Sequence, residues 1–185
     1  MRTNTIIPSQ TLLVDLGLIV GGAAVTAVTA QVTIASQPVP VTLQTLGVMV
    51  CGLSLGAKRG ALSQLAYLAA GVAGAPIFAN HTFGLQELLG KTGGYLWGFV
   101  LMALLLGWAA DRGFDKKVVP CAGFVLAAIA VQLFCGWAWL SGFIGAKAAF
   151  LGGVAPFILL ELVKGAVATA SLPTLRAFLP KSPAV

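Results

Sequence analysis

Charge is the scarcest feature of this chain. Only 9% of its 185 residues are charged, where a soluble domain carries about 25%. That scarcity excludes a disordered chain and argues against a soluble one. The eleven Lys and Arg leave a net charge of +6, but they are scattered between apolar runs instead of gathered on one patch, so nucleic acid is not an expected partner. Histidine is nearly missing. His81, the single one, cannot build a multi-histidine metal site; beside Asn80 and Thr82 in a connecting segment, it reads either as a solvated loop residue or as a ligand contact. The three cysteines, Cys51, Cys121 and Cys135, each lie in an apolar run without a C-x-x-C and fit small buried hydrophobes. No G-x-S-x-G, H-E-x-x-H or triad-like set occurs, so enzyme activity is not expected. Gly90-Lys91-Thr92 imitates the tail of a phosphate loop, yet Gly84 and Gly90 enclose five residues where that motif needs four.

What the chain has in quantity is apolar surface: 58% hydrophobic residues, a mean hydropathy of +0.97 and 23 glycines. This is the composition of an α-helical membrane protein, and the length accommodates about six spans of about 20 residues each. The apolar stretches predict a single membrane domain, 1–185, with helices over about 12–35, 41–55, 61–75, 93–110, 118–140 and 148–172. The second and third are short for a full span and must be tilted, flanked by snorkelling side chains or packed inside the bundle. Breaks fall at Ser36-Gln37-Pro38-Val39-Pro40, at Gly56-Ala57-Lys58-Arg59-Gly60 and at 111–117. The connection 76–92 is the longest, and ordered loops of that length are commonly lids or binding loops.

Basic residues orient the bundle. With the N-terminus in the cytoplasm, Arg2, Lys58, Arg59, Arg112, Lys116, Lys117, Arg176 and Lys181 fall inside, while Lys91 and Lys147 fall outside. This bias follows the positive-inside rule and needs an even number of spans, so six helices with both termini cytoplasmic form a consistent topology. A cleavable leader ending at Val28-Thr29-Ala30 is the rival reading of the first stretch; its apolar run is interrupted by Asp15 and is too long. Asp15, following Ser9 and Thr11, suits a helix N-terminus, where the dipole favours a carboxylate.

One basic residue, Lys164, is left at mid-membrane depth, three residues after Glu161 and so on the same helical face. An ionisable group there costs roughly 2.5–3.5 kcal/mol on insertion scales and is commonly functional. The pair reads either as a self-neutralising lock between helices or as the polar end of a ligand pocket or ion path. A second polar set, Thr42, Gln44, Thr45, Asn80, Thr92 and Tyr95, collects near the outer helix ends and fits either interfacial capping or an outward-facing pocket. Trp137 and Trp139 suit interfacial anchoring. Small residues four apart, Gly17/Gly21, Ala23/Ala27, Gly52/Gly56/Gly60 and Gly90/Gly94/Gly98, allow helix backbones to approach closely, either within the chain or against a partner.

Pro38-Val39-Pro40-Val41-Thr42-Leu43-Gln44-Thr45-Leu46, Leu89-Gly90-Lys91-Thr92-Gly93-Gly94-Tyr95-Leu96-Trp97-Gly98-Phe99 and the acid-x-x-Lys of the last helix resemble the BioY family of biotin transporters, the substrate-binding S components of energy-coupling factor (ECF) transporters. The resemblance covers nearly the whole chain, from about Ala23 to Lys164. It implies a six-helix bundle with both termini cytoplasmic, in the plasma membrane, that captures biotin from outside under the loop between helices three and four. By position, Gln44, Asn80, Gly93 and Tyr95 would line the pocket, with Glu161 and Lys164 at its polar end. Biotin would be the transported ligand, with no cofactor. The implied partners are an ECF transmembrane coupling subunit and two cytoplasmic ATPase subunits, with Ala23/Ala27 resembling the small-residue docking motif. Two departures stand out: the family's Pro-Gly-Asp is Leu159-Leu160-Glu161 here, and its usual Pro before Thr-Gly-Gly is Lys91. The alternatives are an S component for another small vitamin and a structural membrane assembly factor.

Overall fold

The computed structural model describes residues 9–34 and 38–178, with side chains over 12–34 and 38–172. Arg2, Ser36, Gln37 and Lys181, and the side chains of Ser9, Thr11 and Arg176, lie outside the described residues. The described residues are mostly helical: α1 is Ser9–Gln31, α2 Gln44–Val72, α3 Leu85–Leu89, α4 Gly93–Asp111, α5 Val118–Ile144, α6 Ala146–Gly153 and α7 Ile158–Phe178. Between α1 and α2 a two-stranded antiparallel hairpin, β1 (Thr33–Ile34) and β2 (Val41–Thr42), pairs Thr33 with Thr42.

Helix α2 is a hairpin of two helical limbs, 44–55 and 57–72, turning at Gly56, whose φ of 79° and ψ of 175° leave helical space. The proof of reversal is local. A Cβ on Gly60 would lie 3.1 Å from the Cα of Gly52, although eight residues of continuous helix span about 12 Å. The Gly52/Gly56/Gly60 row therefore closes one chain on itself. The second limb starts against Asp111, whose Oδ2 accepts the Ala57 N–H at 3.0 Å and satisfies one of the donors a helix start leaves open. The break therefore narrows to one residue, and Lys58 and Arg59 sit in the first turn of the second limb.

Among the described residues, three helices are long and apolar enough to cross a membrane: Leu12–Gln31, Gly93–Asp111 and Val118–Ile144. The stretch expected as one helix over 148–172 is instead α6 and α7, bent by 48° across the four residues between them. Pro156 in that break has no N–H to donate and cannot continue the helix ladder. Asp15 is also placed differently from expectation. Helix α1 begins at Ser9, so Asp15 lies beyond its first turn, and its carboxylate pairs with Arg59 at 2.6 Å, tying α1 to α2.

Packing centres on α2, which contacts α1, α4 and α7. Met49, Tyr67, Met102, Leu106 and Leu140 are fully buried, whereas Leu13, Val20, Val28, Val119, Phe134 and Leu159 point outward. The core is mostly apolar, yet many large apolar side chains also face outward while polar ones such as Thr26, Gln64, Gln132 and Glu161 are buried, which departs from the pattern of a soluble domain. A hydrocarbon solvent accounts for that arrangement.

Candidate functional site: a polar cavity beneath the 77–82 loop

A cavity of about 210 Å³ lies inside the bundle. Phe78, Asn80 and Thr82 of the loop after α2 meet Thr42 and Gln44 near the hairpin, Tyr95 and Phe99 of α4, Gln132 of α5, and Glu161 and Lys164 of α7. Its volume suits a small molecule and not a polymer.

At its polar end the Lys164 ammonium has three donors, and the protein takes all of them. Nζ donates to the Thr42 carbonyl at 2.8 Å, the Thr45 hydroxyl at 2.7 Å and Glu161 Oε1 at 2.5 Å. Thr45 donates in turn to Glu161 Oε1 at 2.9 Å. Glu161 and Lys164 are 2% and 7% exposed, so the ion pair is desolvated and is held by hydrogen bonds to the start of α2. Oε2 of Glu161, although buried, has no hydrogen-bond partner. Lys164 thus neutralises and orients the carboxylate, and the second oxygen is left to accept.

A second acceptor in the cavity wall is in the same condition. Gln132, 3% exposed in the middle of α5, has a buried Oε1 with no partner. It reaches the cavity because α4 and α5 approach closely at Gly98, where a Cβ would lie 3.2 Å from the Gln132 Cα. Two buried acceptors without donors cost free energy unless something supplies N–H or O–H groups. Nothing in the spacing of the sequence singles out Gln132. The available signal is one amide within the otherwise apolar run Ala127-Ala128-Ile129-Ala130-Val131-Gln132-Leu133-Phe134.

Gln44, Asn80, Tyr95, Glu161 and Lys164 all line this cavity. Their parts differ. Gln44 is fixed by its neighbours: Oε1 accepts from the Thr42 hydroxyl at 3.1 Å and Nε2 donates to the Tyr67 hydroxyl at 2.5 Å. Tyr95 presents its ring, since its hydroxyl donates to the Gly153 carbonyl at 2.7 Å. Asn80 and His81 have φ of 57° and 58°, left-handed values that Asn and His adopt more readily than other non-glycine residues and that occur at ligand clamps. Gly93, expected in the wall, is not among the cavity-lining residues. It is buried where α4 begins, and a Cβ there would collide with the Leu88 carbonyl, so its role in the structure is to let α3 and α4 join tightly. Lys91 is exposed and likewise outside the wall. Thr42, Thr45 and Thr92 from the outer polar set do line it.

Among the described residues no group of three or more His, Cys, Asp and Glu side chains is placed to hold a metal. The class that fold and site define is a helical membrane protein with an internal, mostly apolar cavity that has a polar end and the size of a small ligand. The model described as the BioY family matches residues 2–181, and the chain belongs to that family. It is 38% identical over 154 residues to a probable biotin transporter BioY of Pyrococcus horikoshii, covering 83% of this chain and 91% of the relative. It is 34% identical to the biotin transporter BioY2 of Lactococcus lactis, covering 86% and 88%. The biotin transporter BioY of Thermotoga maritima is also 34% identical, over 78% of this chain and 85% of that protein. The fold matches the crystal structure of an S component for biotin from an ECF-type ABC transporter, with a TM-score of 0.80 at 23% identity over 92% of this chain and 95% of that one.

Proposed function

We propose that this protein is a biotin uptake protein, the substrate-binding S component of an ECF-type transporter, and not an enzyme. The observation that carries this reading is that two residues lining one cavity, Glu161 and Gln132, each hold a buried acceptor oxygen, Oε2 and Oε1, with no hydrogen-bond partner. Biotin's ureido ring offers two N–H donors and a carbonyl, its thioether ring is apolar, and its side chain ends in a carboxylate. The ureido donors match the two acceptors, and Phe78, Phe99, Leu133 and Phe157 supply apolar walls for the rings. Gln44, Asn80 and Tyr95 border the ligand, and Glu161 with Lys164 holds its polar end. Gly93 contributes through the helix junction beneath the lid.

Six spans follow if α1, the two limbs of α2, α4, α5 and the bent α6–α7 pair each cross once. The distribution of basic residues then puts both termini in the cytoplasm of a plasma-membrane protein. Membership of the BioY family points to a transmembrane coupling subunit and two cytoplasmic ATPases as the partners that energise uptake. Helix α1 is the docking element in this reading. Ala23 and Ala27 are half-buried against the core, and Gly17 and Gly21 beside them have no atom within 4 Å of a built Cβ.

Calorimetric titration of the purified protein with biotin tests the reading. Saturable one-to-one binding is expected; no heat and no saturation at micromolar biotin would refute it. Gln132→Leu should weaken binding about tenfold, the loss of one buried hydrogen bond. Unchanged affinity in that titration removes Gln132 from the site.

A further inference from the structure

We propose that Gln31, at the end of α1 and outside the cavity wall, is a positioning residue that latches the 77–81 segment over the cavity and so sets how long the ligand stays bound; this rests on the biotin-binding reading given above.

The Gln31 carboxamide is committed at both ends. The two Nε2 hydrogens are shared among three carbonyls, that of Ala27 on its own helix at 3.0 Å and, across the gap, those of Ile77 and Phe78 at 3.1 and 3.2 Å. Oε1 accepts the His81 N–H at 3.2 Å. A single side chain thereby grips the segment before and after Asn80, and Asn80 and His81 hold consecutive left-handed conformations that an unrestrained loop would leave. Only a primary amide of this length supplies donors and an acceptor together; Glu lacks the donors and Leu lacks both.

The grip is continuous with the cavity. The Ile77 carbonyl that Gln31 holds also accepts the Tyr67 hydroxyl at 3.1 Å, and Tyr67 accepts from Gln44, a wall residue. Phe78, whose carbonyl Gln31 also holds, turns its ring into the space left by Gly71 and packs edge-on against Tyr67 at 5.4 Å while lining the cavity. Movement of the end of α1 therefore pulls on Phe78 and Asn80 together. That gives the helix read above as the docking element a mechanical connection to ligand release.

The test uses the purified full-length protein loaded with radiolabelled biotin, chased with unlabelled biotin, alongside amide hydrogen exchange over 77–82. In Gln31→Leu, dissociation should be at least about tenfold faster while association changes by less than about threefold, because the latch acts on the bound state. The His81 amide should exchange faster. Gln31→Glu, equal in size, keeps an acceptor for His81 but places an anion against two carbonyls; it should also speed dissociation, with His81 remaining the better protected of the two variants. Wild-type dissociation in both variants overturns the proposal, as does an equal loss in association and dissociation terms that marks a generally damaged pocket. A wild type that binds no biotin sinks the substrate reading alone. The latch is then judged by exchange: faster exchange at His81 in Gln31→Leu supports it, and unchanged protection overturns it.

Discussion

Glu161→Ala should lower biotin affinity by at least about a hundredfold, and this is the largest single-site effect expected in the protein. Two losses add. The ligand loses the free Oε2 acceptor, and a hydrogen bond to a charged group contributes about 1.5–3 kcal/mol. The Lys164 ammonium is left buried with only the Thr42 carbonyl and the Thr45 hydroxyl, and breaking a buried pair from one side costs about 3–5 kcal/mol. Calorimetric titration reads the first loss, and thermal unfolding in detergent reads the second as a lower Tm. Because a tenfold change corresponds to about 1.4 kcal/mol, the hundredfold figure requires only part of the combined loss to fall on binding. An affinity within threefold of wild type would remove Glu161 from the site.

Lys164 acts differently, and the difference separates a pocket from a lock. Its three donors are consumed within the protein, so Lys164→Ala removes no ligand hydrogen bond directly. It instead frees Thr45 and Glu161 to reorient and leaves the carboxylate without its counter-charge. At least a tenfold loss of affinity is expected, with a lower Tm. The double variant Glu161→Leu, Lys164→Leu restores neutrality, and apolar replacement of a buried ion pair is often neutral or stabilising by about 1–4 kcal/mol. It should therefore unfold near the wild-type temperature while biotin uptake disappears. Retained uptake would mean that the pair only locks α7 to α2, and the structural-assembly reading would then be preferred.

The ion pair was legible in the sequence because a lysine amid apolar residues has few physical excuses and the i, i+3 spacing fixes its partner. Its outcome at the wall of a cavity depends on something longer-range. Thr42 and Thr45 reach Lys164 only because the hairpin delivers the start of α2 beside α7, a contact between residues more than a hundred positions apart. The grouping of Gln44 with Tyr67 likewise depends on reversal at Gly56. A Gly-rich stretch marks such a turn as possible, but the residue that makes it is revealed only by the backbone angles. Gln132 and Gln31 were not legible. A lone amide in an apolar helix has the same local pattern whether it faces a ligand, a loop carbonyl or another helix. Asp15 shows the converse failure: local dipole logic suggested a helix start, but α1 begins earlier and an arginine on α2 claims the carboxylate. Gly93 sits at the tight junction of α3 and α4 and not among the cavity-lining residues, a distinction that position in a family motif does not make.

The most direct measurement is a structure of the protein with biotin bound. The account predicts the ureido ring at the α7 end of the cavity, with one N–H within hydrogen-bond distance of Glu161 Oε2, the other directed to Gln132 Oε1, and Lys164 still holding Thr42, Thr45 and Glu161. A biotin whose ureido group lies away from α7, or a cavity that remains without biotin at saturating concentration, would contradict it.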